Sequence, residues 1–344
     1  MNEYTIVNYE AFRKIMKHHD KVMDSVSTPW FMARCKQQPF YCSSQQFGNL
    51  LVQFSNCCTN ARALMGNKEE AKTVTAGGLQ NFQRNTSKYW VKKEDIMRVK
   101  TIVTENLPIN IFTSDSSRFL QEPTDSAFIS SVYYDNPNTM ELYEGRLRKS
   151  QGAIAVRFRK YEHGEEIFVE RKTHHESWIT GSSSIKERFD LDPSDVYNFV
   201  RGTYKSDDFT KRLETQGKSE KAIKEAVKLF EEIQQAIILR HLVPCVTTAC
   251  DRTAFQIPGD AKVRISLDID LHMIKESLKL KNDGKWCKDQ FQISEEDIHN
   301  FPYAILEVKL QTHEGYFSLF NFLSFLNITF LPLSLSPALK LLFY

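Results

Sequence analysis

Phe47, Leu50, Leu51 and Phe54 recur at steps of three and four residues, the spacing of one apolar helix face, and no strand-like alternation competes with it. Residues 1 to about 79 are therefore expected to be helical. Within them, NYEAFRKIMKHHDK at residues 8–21 sets Phe12, Ile15 and Met16 on an apolar stripe and Lys14, Lys17, His18 and Lys21 on a basic one. A solvated helix face is the ordinary meaning of such a pattern. A polar link carrying Gly77 and Gly78 follows. From Lys88 onward the pattern changes to short alternating segments broken by turn residues such as Asp135-Asn136-Pro137-Asn138 and His163-Gly164. The predicted strands include AVRFRKY at 155–161, EIFVERK at 166–172, SIKERF at 184–189, KVRISLDID at 262–270 and AILEVKL at 304–310. Two helices interrupt them. One starts at Asp192-Pro193, where Asp can cap free N–H groups and Pro suits the first turn. The longer, at about 219–241, aligns Ile223, Val227, Phe230, Ile233 and Ile237 for packing on the strands.

The chain has 344 residues, more than one average domain of about 150, so two domains are expected. A net charge of only +2 argues against a generally acidic partner, and any anion site must come from local clustering of Lys and Arg. The odd set of seven cysteines contains no paired zinc-type spacing and suits a reducing, cytosolic setting. The N-terminal stretch MNEYTIVNYEAFRK has no apolar core of signal-peptide length. Tyr316 to Leu339 carries no charge and is long enough for a bilayer crossing of roughly 20 residues, although Pro332, Pro337 and several Ser and Asn interrupt it. There is no internal repeat, no Gly-rich phosphate loop, and no basic surface interleaved with aromatics, so nucleic acid is not an expected partner.

Side chains two apart on a strand share a face, which puts Arg157 with Arg159, Lys172 with Glu170, Lys186 with Arg188, and Arg264 with Ser266 and Asp268. Several strands thus carry cations on one face and apolar groups on the other. In an open sheet the charged face would meet water. In a barrel the cations would meet one another, an arrangement that calls for an anion of high charge density inside. Glu307, two residues from Lys309, is by pattern either an ion-pair partner or an oxygen ligand to a hard cation such as Mg2+ or Mn2+.

The passages SKYWV, YYDNPNTMELYEGRLRKSQGA, RFRKY, IFVERKTH, SIKERF, DRTAFQIPGDAKVRISLD and FPYAILEVKLQT resemble the tunnel domain of the vacuolar transporter chaperone family, and most closely its catalytic, polyphosphate-polymerising type. Residues 1 to about 60 are similar to the last helices of an SPX domain, with NYEAFRKIMKHHDK the recognisable part. The resemblance implies an α+β fold, an antiparallel β-barrel of the triphosphate tunnel type with packed helices, preceded by a partial helical SPX domain. It implies transfer of the γ-phosphate of ATP onto inorganic polyphosphate with release of ADP, dependent on Mn2+ or Mg2+. Position by position, Lys88, Arg157, Arg159, Lys172, Lys186, Arg252 and Arg264 match tunnel cations, Glu307 the metal ligand, and Lys14, Lys17 and Lys21 the inositol pyrophosphate surface of the SPX helices. It further implies other subunits of a membrane-bound complex as partners, at a vacuole or acidocalcisome membrane with the tunnel on the cytosolic face. A noncatalytic scaffold that binds polyphosphate, or a triphosphate hydrolase, are the alternative activities.

The expected organisation is an SPX-like region and linker at 1–79, a tunnel domain at 80–313 and a divergent apolar tail at 314–344, with both ends cut short relative to the family. The chain departs from the family pattern in three places. Cys250 stands where a tyrosine is usual, and His18 stands where a lysine is usual, which weakens anion binding because histidine is mostly neutral at pH 7. After Thr312 the resemblance stops, and with it the segment that supplies a further tunnel lysine and a closing helix; the tail is expected to be either an early membrane segment or a misread C-terminus.

Overall fold

The computed structural model of the chain describes residues 44–64, 85–111, 124–162, 164–175, 183–260, 262–276, 285–288 and 293–310. The basic helix expected at 8–21 and the apolar tail lie outside them. In chain order the main elements are α1 (Ser44–Leu64), β1 (Asn85–Val91), α2 (Ile96–Asn106), β2 (Ala127–Asp135), α3 (Glu141–Leu147), β3 (Ile154–Tyr161), β4 (Ile167–His175) and β5 (Ser183–Leu191). They continue with α4 (Pro193–Arg201), α5 (Ser206–Thr215), α6 (Glu220–Leu239), β6 (Val243–Phe255), β7 (Val263–Lys275), β8 (Ile298–Asn300) and β9 (Ala304–Leu310). The strands pair in the order β1-β9-β7-β6-β2-β3-β4-β5, with β8 on β7. The pairs β1–β9, β9–β7, β2–β3, β3–β4 and β4–β5 are antiparallel. The α+β class expected from the sequence, an antiparallel sheet with helices packed on it, is the one observed. No helix among the described residues is long and apolar enough to cross a membrane.

The described residues form two compact units: one takes those up to Ala127, Arg252–Ile269 and Tyr303 to Leu310; the other takes those of Phe128–Asp251 and Asp270–Pro302. β7 passes from the first to the second at Asp270, whose backbone is left-handed with φ of 49°. Asp tolerates that conformation better than most side chains, because its short polar group can bond locally.

In the first unit, Leu306, Val308 and Leu310 of β9, Ile265 and Leu267 of β7, Val91 of β1 and Phe255 of β6 form one core with Val99 and Val103 of α2 and Leu51 of α1. The helix α1 is also tied by polar contacts. Ser55 Oγ accepts from the Ile109 N–H at 3.0 Å, and Arg62 Nη1 donates to the Glu105 carbonyl at 2.8 Å, satisfying an orphan carbonyl in the last turn of α2. The buried face of α1 is shifted by one residue, about 100° around the helix, from the expected one: Leu51 is buried and Phe54 partly so, but Leu50 is 54% exposed, and the buried line runs through Gly48, Val52 and Ser55. Small and polar residues on that line hide it from a count of large apolar groups. The same masking applies to α2, which the sequence pattern does not single out, because its buried positions are Val99, Lys100, Val103 and Thr104.

In the second unit, Val156 and Phe158 of β3, Ile167 and Val169 of β4 and Phe189 and Leu191 of β5 project one way, onto α4, α5 and α6. Phe199, Phe209 and Phe230 meet there, with the Phe230 ring centroid 4.7 Å from each of the other two. The helices expected at 193 and at about 219–241 are present, and α3 and α5 stand beside them. Ser219 caps α6 by accepting from Ala222 N at 3.4 Å. Asp192 does occupy the N-cap position of α4, but its side chain makes no cap bond and instead pairs with Arg212 Nε at 3.2 Å. The turn after β2 closes as expected, with Asp135 Oδ1 accepting from Asn136 N and Leu142 N.

Gly48 shows how tightly α1 sits in its unit. A Cβ there would lie 2.6 Å from Asp125 Oδ1, and Asp125 is committed to a buried ion pair with Lys100 at 2.5 Å. The Gly48→Ala substitution is expected to lower stability by about 1–3 kcal/mol, through overpacking that outweighs any gain in helix propensity. A lowered urea midpoint with unchanged slope is the measurement; equal or higher stability would mean that Asp125 swings aside freely.

Candidate functional site

Each unit carries an ionic cluster on its strands. In the second unit the register places Ser131 opposite Arg159, Tyr133 opposite Arg157, Arg157 opposite Glu170, Glu170 opposite Arg188, and Lys172 opposite Lys186. Strand periodicity therefore gathers Arg157, Arg159, Lys172 and Lys186 on one face, as read from the sequence. Although charged, Arg157 and Arg159 are each only 8% exposed and Glu170 is 0% exposed. Arg157 places Nε 2.6 Å and Nη2 2.5 Å from Glu170 Oε2, while Nη1 donates to Tyr133 Oη at 3.0 Å. Lys186 Nζ sits 2.6 Å from the other oxygen, Glu170 Oε1. Arg159 is anchored differently: its Nε donates to Ser131 Oγ at 2.9 Å and its guanidinium carbon lies 5.9 Å from the centroid of the Tyr161 ring. Arg188 stacks its guanidinium 4.8 Å from the Phe168 ring centroid.

In the first unit Glu307 lies opposite Lys88 on β1 and Ser266 on β7, and Lys309 lies opposite Arg264. Glu307 pairs with Lys309 Nζ at 2.8 Å and Lys88 Nζ at 3.7 Å. Arg252 grips Asp268 with a two-point fork, Nε to Oδ1 at 2.5 Å and Nη2 to Oδ2 at 2.6 Å. Of the residues singled out in the sequence, Lys88, Arg252, Arg264 and Glu307 therefore belong to this unit, and Arg157, Arg159, Lys172 and Lys186 to the other. Lys14, Lys17 and Lys21 lie outside the described residues. The sequence pattern sets Glu170 on a face with Lys172, Asp268 with Arg264 and Lys309 near Glu307 without giving those three a role in a site, and it does not single out Ser131 or Tyr133. The signals were available for Glu170 and Lys309, each two residues from a singled-out position, whereas β2 buries Ser131 to Asp135 in succession and shows no alternation there to separate Ser131 and Tyr133 from its core positions.

Like charges stand directly opposite in both clusters, Lys172 with Lys186 and Arg264 with Lys309. Such pairs are destabilising unless an anion bridges them. A carboxylate is embedded in each cluster, Glu170 beside Lys186 and Glu307 beside Lys309. Burial pushes Glu170 towards its neutral form, but Arg157, Arg159 and Lys186 outweigh burial and hold its pKa down at about 2. Glu307 is likewise held at about 2, with burial opposed by Lys309, Lys88 and Arg252. Lys186 is lowered to about 8, first by burial and further by Arg157 and Arg159, with the pull of Glu170 only partly offsetting them. Burial is the main reason that this lysine is lowered although it touches a carboxylate, and the neighbouring guanidinium groups add to it.

Among the described residues no group of three or more His, Cys, Asp and Glu is placed to hold a metal ion. Glu307 offers one ionised carboxylate, so a divalent ion there would take its other oxygens from phosphate and water, the way Mg2+-like ions are commonly held. The donor set fits a metal that arrives with a phosphate.

The VTC domain model matches residues 83–322, running past Thr312. Vacuolar transporter chaperone complex subunit 4 of Schizosaccharomyces pombe is 39% identical over 323 residues, covering 91% of this chain and 44% of that protein. The subunit 4 of Trypanosoma brucei brucei is 35% identical over 252 residues, covering 69% of this chain and 31% of that protein. Subunit 2 of the S. pombe complex is 29% identical over 341 residues, with 90% and 44% covered. The chain thus spans less than half the length of these curated relatives. Among solved structures, the PH1819 protein of Pyrococcus horikoshii OT3 aligns with a TM-score of 0.35 at 10% identity, over 76% of this chain and 98% of that one, a likeness too slight to carry an argument.

The lowered Lys186 gives the second cluster a pH signature. Its folded value of about 8 lies below the ordinary 10.5, so the shift opposes folding below about pH 8, and that opposition fades as pH rises towards 10.5. A docked polyanion favours the protonated amine. Binding of inorganic tripolyphosphate at pH 8 is therefore expected to take up protons and to weaken as pH rises further. Calorimetry in buffers of different ionisation heat reads the uptake, and Lys186→Met should abolish it; equal uptake in the variant would assign the proton to another group.

Proposed function

The chain belongs to the VTC domain family, and from that premise we propose that it carries a polyphosphate polymerase domain, moving the γ-phosphate of ATP onto the end of an inorganic polyphosphate chain with release of ADP. The observation that carries this reading is the pair of cation faces, each with like charges directly opposite in register. A linear polyphosphate is a ligand whose charge density suits such faces.

In the transfer, an oxygen of the terminal polyphosphate attacks the γ-phosphorus, the bond from that phosphorus to the β–γ bridging oxygen breaks, and ADP leaves with the electron pair. Little covalent help is needed from protein, and the work is positioning and charge stabilisation. Arg157 and Arg159 suit the spreading charge of non-bridging oxygens because a guanidinium offers a planar fork, whereas Lys88, Lys172 and Lys186 act as compact charges. Arg252, already oriented by Asp268, and Arg264 supply the corresponding groups of the first unit. Glu307, ionised at any physiological pH, would hold Mn2+ or Mg2+ together with phosphate oxygens. The bound ion would neutralise charge on the transferring phosphate.

The complex named for the relatives supports other subunits as partners and association with the vacuole. Inositol pyrophosphate control through Lys14, Lys17 and Lys21 rests on the resemblance of residues 8–21 alone.

Incubation of the full chain with ATP and Mn2+, resolving polyphosphate, ADP and free phosphate, tests the proposal. Polyphosphate longer than the substrate's own chain, made by the native protein and reduced about 10²–10³-fold by Arg264→Ala or Glu307→Ala, is the expected result. Free phosphate in place of polymer would make the protein a triphosphate hydrolase. ATP bound and unchanged would make it a polyphosphate-binding scaffold.

A further inference from the structure

Glu170 is the most deeply buried charge in the second cluster, and nothing in the transfer chemistry uses it. It cannot meet a ligand directly, since it is 0% exposed beneath Arg157 and Lys186. Both of its oxygens are taken, Oε2 by two nitrogens of Arg157 and Oε1 by Lys186. The two cations are held with unequal firmness. Arg157 is almost sealed, and Tyr133 fixes the far side of its guanidinium. The Lys186 side chain is 38% exposed and touches Glu170 through one amine contact on a flexible stem. Arg159 donates its Nε to Ser131 Oγ, lies against the Tyr161 ring and adds to the positive field at Lys186.

From this geometry we infer that Glu170 is a resident counter-ion which substitutes for phosphate when the face is empty, and which keeps a bound polyphosphate loosely enough held to move along the cations as it grows. The inference deepens the polyphosphate reading and rests on it. When phosphate arrives, Lys186 exchanges its carboxylate partner for a phosphate oxygen, while Arg157 stays fixed on Glu170 and Tyr133. The anion therefore meets a face that already holds one negative charge behind it, and its affinity is lower than the cations alone would give. A product that must advance by one phosphate in each cycle needs that moderation, because a face of uncompensated guanidinium groups would trap it. Glu170 is thus a positioning residue for Arg157 and a moderator of charge.

The sign of one effect separates this role from a merely structural one. Removing a structural carboxylate loosens the site and weakens binding. Removing a counter-ion exposes the cations and strengthens it. The probe is inorganic tripolyphosphate without metal, titrated into the full chain by calorimetry near pH 7, with Glu170→Gln as the isosteric neutral variant and Glu170→Asp as the charged one. Glu170→Gln is expected to bind at least about tenfold tighter than native, with a steeper salt dependence and a lower melting temperature when ligand-free. Glu170→Asp should stay within about threefold of native affinity, since the charge is kept. In the polymerase assay Glu170→Gln should lower both KM for the polyphosphate acceptor and kcat. Weaker or unchanged binding by folded Glu170→Gln overturns the inference, as does tightening by Glu170→Asp equal to that by Glu170→Gln. Should Glu170→Gln not fold alone, refolding in tripolyphosphate decides: recovery supports the counter-ion, and failure to recover overturns it. If native protein itself does not bind tripolyphosphate, the polyphosphate reading fails and this inference with it, whereas native binding without tightening in the variant removes the inference alone.

Discussion

Guanidinium groups do not go into a protein interior without a partner, and the burial of Arg157 and Arg159 side by side is the constraint around which the second unit is arranged. Strand register meets it by bringing Glu170 opposite Arg157 and Ser131 opposite Arg159. A shift of one residue in the pairing of β3 with β4 would turn Glu170 to the helical side and bring Arg171 to the cations, because the side-chain period of a strand is two. The apolar side fixes that register. Val156 and Phe158 on β3, with Ile167 and Val169 on β4, must all face α4, α5 and α6, so the packing of the phenylalanine cluster indirectly sets which ions meet on the other side.

The first unit solves a similar problem with less burial. Its helices α1 and α2 cover the apolar side of β1, β9 and β7, and Lys88, Glu307 and Lys309 share the opposite side. Here α1 matters to the site although it supplies no group to it. Its Leu51 reaches the same core as Leu306 and Val308, which flank Glu307 on β9 and point to the other face. What holds the strand flat against the helices also holds Glu307 and Lys309 outward.

Much of this was legible from alternation. AILEVKL matches β9 residue for residue, AVRFRKY falls within β3, and the shared face of Arg157 and Arg159 follows from a two-residue period. Where the pattern misled, on β2, on the buried face of α1 and on α2, the buried positions break the simple period or are not large and apolar. β2 buries Val132, Tyr133 and Tyr134 in succession, so period two is lost; α1 buries Gly48 and Ser55; α2 buries Lys100. The partners of the cations escaped for another reason. Asp268 alternates with Arg264 along its own strand, yet its bond is to Arg252 on the neighbouring strand, and no feature of a single strand reveals a cross-strand partner. Glu170 reads in sequence as one more acid in an acid-and-base run, and only register with β3 and β5 shows that it faces cations on both sides.

The two carboxylates embedded among cations, Glu170 and Glu307, look alike by charge and by a pKa held near 2, and their surroundings separate them. The Glu307 side chain keeps 19% of its surface, and its contacts are to lysine amines at the ends of flexible chains, one of them at 3.7 Å. Ammonium groups at that distance can be displaced by an incoming divalent ion with little loss, because they can turn to phosphate instead. Glu170 has no surface and is locked to a guanidinium that is itself locked to Tyr133. Displacing that arrangement would strand a buried charge, at a loss of about 3–5 kcal/mol. Equal ionisation with unequal freedom is what assigns one carboxylate to the ligand side of the chemistry and the other to the framework that tunes it.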